Sequence, residues 1–142
     1  MNIRLLFAFI YIIVDLIYVF TSKSVYDNVV INIQGSPIPT GVSRILSALA
    51  AWSCMAVGWY YLTTSYVQTL IMTGVSPLRA GAFAGFINGL VVIGTFNFTV
   101  RAMFTNYSAK IMIRDLCWGV GWVTLLTIIY AIVISRDRMT NT

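Results

Sequence analysis

The chain has 142 residues, 59% of them hydrophobic and 9% charged, with a mean hydropathy of +0.87. Soluble domains carry about a quarter charged residues, so this composition excludes one and predicts an all-α integral membrane bundle in a single domain. The net charge of +5, from nine Lys and Arg against four Asp, is spread along the chain instead of gathered into a patch, so no nucleic-acid partner is expected. With no His and no Glu, a metal site would have only Asp and Cys to draw on, a poor donor set for zinc or di-iron chemistry, and no metal or other cofactor is expected.

Four transmembrane helices are predicted, at about 3–20, 45–72, 77–104 and 111–134, joined by short connections and one longer first loop. The first apolar stretch follows Arg4 and has the outline of a signal peptide. Asp15 within it, and the lack of a small-x-small cleavage site at Thr21-Ser22-Lys23-Ser24, argue for a retained span. In the loop that follows, Val25, Val29 and Ile33 recur every four positions beside Asp27, Asn28 and Asn32. That spacing suits a short amphipathic helix at the membrane interface or an irregular loop, and Gly35, Pro37, Pro39 and Gly41 break the chain after it.

The second span is expected to start behind Ser43 as its cap and to end at Gly74, with Trp59, Tyr60, Tyr61 and Tyr66 as interface anchors or bundle packing. Ser76-Pro77 reads as the start of the third span, which makes spans two and three antiparallel neighbours. The fourth span stops at Ser135-Arg136-Asp137-Arg138. Both termini then share one side, with Arg4, Arg79, Arg136 and Arg138, while Lys23, Arg44, Arg101, Lys110 and Arg114 lie on the loop side. This count is balanced and assigns no orientation. Cys54 and Cys117 fall inside apolar stretches and are expected as small core residues. Asn106-Tyr107-Ser108 has the form of a glycosylation sequon close to the membrane.

Polar residues inside the spans carry the functional signal, because a charged side chain in hydrocarbon needs a partner. Asp15, Asn97, Thr99, Arg101 and Asp115 all fall in the loop-side half, and they meet if spans one, three and four adjoin. In that arrangement Arg101 is the expected counter-ion of the aspartates, and Asn97, Thr99 and the indole of Trp118 are further hydrogen-bond donors. Gly81, Gly85 and Gly89, spaced by four, form a helix-packing face. Its partner is a neighbouring span, for instance the second through Ala48, Ala51 and Gly58, or another copy of the chain, and Asn88 stands ready to bond across it.

Val14-Asp15-Leu16-Ile17-Tyr18, Phe96-Asn97-Phe98-Thr99 and Arg114-Asp115-Leu116-Cys117-Trp118-Gly119 together resemble the pattern of a family of small four-span membrane proteins, domain of unknown function 2177. The likeness runs over nearly the whole chain. The matching positions are Asp15, Thr99, Asp115, Trp118 and Gly119, whereas Asn97 stands where the family usually has Asp and Val100 where it usually has Asn. The resemblance implies a four-span architecture in a family that is mainly bacterial, with similar proteins in large DNA viruses. A host, bacterial or viral internal membrane is compatible with it.

No nucleophile-base pair, phosphate loop or histidine base is present, and no Gly-x-Gly-Asp segment surrounds Asp115, so an intramembrane aspartyl protease is not expected. The expectation is a non-catalytic structural or assembly component of a membrane, including a virion internal membrane. Its partners would be lipids, other copies of itself, or other membrane or capsid proteins. The alternative is a proton- or cation-coupled transporter or channel subunit working through Asp15 and Asp115.

Overall fold

The computed structural model describes residues 2–36 and 41–140, with side chains up to Asp137. Four of its helices are long and apolar enough to cross a membrane: α1 (Ile3–Thr21), α3 (Val42–Met72), α4 (Pro77–Met103) and α5, whose apolar part is Ala109–Asp137 and which continues to Thr140. Between α1 and α3 lies the short α2 (Lys23–Gln34). There is no strand among the described residues, and the protein is an all-α integral membrane bundle.

The helix ends follow local chemistry. Asn2 caps α1, its side-chain oxygen accepting from the Arg4 N–H at 3.0 Å. α2 ends at Gly35 (φ 75) and α3 runs out before Gly74 (φ 89), both left-handed positions that glycine adopts without strain. Pro77 occupies the first turn of α4 behind Ser76, although the Ser76 hydroxyl makes no capping bond. Ser43 is not the cap of α3: the helix starts one residue before it, behind Gly41. The apolar part of α5 ends at Asp137, within the expected charged stretch, although the helix itself continues to Thr140. Pro37, Pro39 and the side chain of Arg138 lie outside the described residues. α3 and α4 each contain one π turn, at Trp59–Thr63 and Leu90–Gly94, which locally re-phases the face that the rest of the helix presents.

The main core occupies the half of the bundle nearest the termini. Trp59 of α3 is fully buried, donates its indole N–H to Thr127 Oγ1 at 3.0 Å, and meets Tyr130 edge-on at 5.3 Å; Phe7 of α1 meets Tyr130 at 5.6 Å. Above it Arg4 Nη2 donates to Gln68 Oε1 at 2.6 Å, and Gln68 Nε2 to Tyr130 Oη at 3.3 Å, tying α1, α3 and α5 together at that surface. Of the four aromatics singled out in α3, Trp59 thus packs in the bundle, whereas Tyr61 and Tyr66 face outward. Cys54 and Cys117 also lie on the outer surface and not in the core, because their positions around α3 and α5 face away from the bundle.

The glycine face of α4 packs against α5. A Cβ placed on Gly81 would stand 2.6 Å from Ile128 Cα, one on Gly85 2.7 Å from Thr124 Cα, and one on Gly89 2.8 Å from Val120 Cα. The partner is therefore a neighbouring span, the fourth and not the second, and not another copy, because the backbone-to-backbone approach of α4 and α5 uses all three glycines. Ala80 and Ala84 are buried along the same face. Asn88 does not bond across it through its side-chain oxygen, which is buried without a partner.

Because the obstacles at Gly81 and Gly85 are backbone atoms that cannot rotate away, Gly81→Ala or Gly85→Ala is expected to destabilise the bundle by about 1–3 kcal/mol. Gly121→Ala, where nothing lies within 4 Å, is expected to change stability by less than about 0.5 kcal/mol. Equilibrium unfolding in mixed micelles measures both.

Candidate functional site

Asp15, Asn97 and Asp115 each stand six residues in from the loop-side end of their helix, at Thr21, Met103 and Ala109, a depth of about 9 Å along the axis. At this common level α1, α4 and α5 converge, and the chain supplies donors from α1 itself and from two places outside the spans. Tyr18, one turn beyond Asp15, donates to Asp115 Oδ1 at 2.7 Å, and Tyr26 of α2 donates to the same oxygen at 2.8 Å. Tyr107, from the turn between α4 and α5, donates to Asn97 Oδ1 at 2.7 Å and lies 3.5 Å from Asp115 Oδ2. Asn97 completes its own bonding by donating to the Ile93 carbonyl at 3.0 Å. Asn97 and Asp115 are 1% and 6% exposed, so these bonds take the place of water.

Arg114 adds positive charge from the rim. Its Nη2 is 3.5 Å from Asp115 Oδ1, and its guanidinium lies over the rings of Tyr18 and Tyr26 at 5.6 and 5.5 Å. Tyr18 stacks against Trp118 at 4.7 Å with the planes 11° apart. Four ties therefore converge on Asp115 and draw α1, α2 and the α4–α5 turn onto α5. The amphipathic α2 lies across this end of the bundle with Val29 buried beneath it, and Lys23 pairs with Asp27 along its own surface. Asn106 Nδ2, the nitrogen a glycan on that sequon would occupy, donates to the Asn32 carbonyl at 3.1 Å and fastens α2 to the α4–α5 turn.

The sequence-predicted cluster is only partly assembled. Arg101 is exposed and donates to the Tyr107 carbonyl, so it is not the counter-ion of either aspartate: two residues from the end of α4, its guanidinium reaches the turn without being buried. Thr99 faces outward, since two residues beyond Asn97 carry a helix about 200° around its axis. Trp118 contributes its ring face to Tyr18, and no bond from its indole N–H to Asp115 is formed. Asp15 sits apart from this lock and accepts from Trp52 Nε1 at 2.7 Å. Tyr18, Tyr26, Trp52 and Tyr107 are the partners that sequence reasoning missed. Among the described residues no three His, Cys, Asp or Glu side chains converge in a way that could hold a metal ion.

Outside the membrane-spanning segments, burial and then the nearby Asp115 carboxylate push the Tyr107 phenol up to about 12, and the same causes raise that of Tyr26. Both phenols therefore remain protonated donors throughout the physiological range. With the folded-state value above the ordinary value of about 10, the stability contributed by Tyr107 is fully present below pH 10 and is lost as pH rises through about 12. Absorbance titration at 295 nm is expected to show that Tyr107→Phe removes a phenol titrating near pH 12. Tyr26→Phe and Tyr107→Phe are each expected to lower stability by about 1 kcal/mol at neutral pH.

No curated protein and no solved structure is similar to the chain, whereas the family described as "Predicted membrane protein (DUF2177)" matches residues 2–132, a stretch that contains all four spans up to the last turns of α5. The chain belongs to this family of predicted membrane proteins, domain of unknown function 2177.

Proposed function

We propose that the protein is a non-catalytic, multi-pass structural or assembly component of its membrane, in which the Asp115 cluster is a lock that holds the loop-side ends of the helices together. The observation that carries this reading is the saturation of Asp115: two tyrosine hydroxyls at 2.7 and 2.8 Å, a third at 3.5 Å and the Arg114 guanidinium meet one carboxylate. A carboxylate that relays protons or ions must exchange partners, and one bonded by side chains of three other segments would have to disrupt the bundle to do so. Outside the lock the bundle presents apolar side chains, among them Val42, Ile45, Leu46 and Leu49 on the first half of α3. These suit acyl chains and neighbouring membrane proteins, including further copies of the chain or proteins of a virion membrane.

A transport reading draws on a different observation: Asp15 and Asp115 both line a cleft in the loop-side half. Measuring proton and cation flux in proteoliposomes beside thermal stability separates the two. For the structural reading, wild-type liposomes are expected to leak no faster than empty ones, and Asp115→Asn to lower bundle stability by about 1–3 kcal/mol. Flux that disappears in stably folded Asp15→Asn and Asp115→Asn proteins would overturn the structural reading in favour of a small transporter or channel subunit.

A further inference from the structure

The loop-side half of α3 packs against α1, whereas α4 packs along α5. Between them opens a cleft of about 450 Å³ to whose wall all five helices contribute. Its volume lies within the range of about 300–1,000 Å³ usual for small-molecule sites. The wall is mostly apolar and aromatic, with Tyr18, Trp52, Phe96 and Trp118 around Asp15.

The charges of the cleft are not balanced. Asp115 has its tyrosines and Arg114, and Lys23 is paired with Asp27. Asp15 has a single neutral donor, the Trp52 indole on Oδ2, and among the described residues no salt bridge reaches it. A carboxylate at this depth in hydrocarbon calls for an opposite charge or several donors, and the cleft beside it is roomy enough to bring one.

We propose that the cleft binds a monovalent organic cation with an apolar body, a protonated amine or quaternary ammonium, with Asp15 as its counter-ion. The aromatic wall suits both parts of such a ligand, since ring faces attract an ammonium and their edges and neighbouring aliphatic groups bury the body. A bare metal cation would need several oxygen ligands, and besides Asp15 the carboxylate and amide oxygens of the cleft, on Asp115 and Asn97, already accept from tyrosine hydroxyls. An anionic amphiphile would meet the carboxylate as a like charge, and a neutral acyl chain would leave Asp15 without a counter-charge.

The test uses the full chain in zwitterionic phosphatidylcholine nanodiscs, titrated calorimetrically with 4-phenylbutylammonium and with 4-phenyl-1-butanol, a neutral molecule of matching length. Saturable binding of the amine at least tenfold tighter than of the alcohol is expected, with the preference abolished in Asp15→Asn. Ala51→Trp, which keeps the carboxylate but places an indole in the cleft wall, is expected to abolish saturable binding of the amine, and it serves as the deciding variant if Asp15→Asn does not fold. Equal affinity for amine and alcohol, no saturable amine binding by the wild type, or undiminished amine binding by folded Ala51→Trp would each overturn the proposal.

Discussion

An aspartate about 9 Å in from the end of a membrane-spanning helix has to be given partners, and the way Asp115 is given them organises one end of this protein. Its donors come from α1, α2 and the α4–α5 turn, so satisfying one carboxylate fixes the relative positions of segments that share little apolar packing there. Tyrosine suits the task because its hydroxyl donates at the end of a rigid ring and its body remains compatible with acyl chains. The guanidinium of Arg114 stays at the rim, lying over two of those rings instead of being buried in their midst.

The opposite end is held differently. There the close approach of α4 and α5 along Gly81, Gly85 and Gly89, together with the Phe7, Trp59 and Tyr130 cluster, gives dense packing, with the hydrogen bonds of Trp59 to Thr127 and of Arg4 through Gln68 to Tyr130 added to it. In a bilayer no hydrophobic effect separates helix from lipid, and close van der Waals contact through small residues is what favours helix association. The bundle is thus tight by packing near its termini and tied by hydrogen bonds near its loops. The cleft lies in the second region, where α3 and α4 are not drawn together.

The four spans were legible in the sequence because length and apolarity alone determine what crosses a membrane, and the glycine face because a four-residue spacing places small residues on one helix side. The identity of its partner was not legible, since Thr124, Ile128 and Val120 carry no mark that distinguishes them from the apolar residues of α3. For the polar cluster, depth counting brought Asp15, Asn97 and Asp115 to one level, but depth says nothing of direction around the helix. Thr99 and Arg101 shared the depth and not the site. Tyr26 and Tyr107 were hidden for another reason: they belong to segments outside the spans, and only tertiary folding of α2 and the 104–108 turn carries their hydroxyls to Asp115 and Asn97.

The most direct measurement is a double-mutant cycle between Asp115→Asn and Tyr26→Phe, read as unfolding free energy in bilayer-like bicelles. A lock made of shared hydrogen bonds predicts coupling of about 0.5–2 kcal/mol between the two substitutions. Effects that add to within about 0.3 kcal/mol would contradict it, showing that α2 is held by something other than its bond to Asp115.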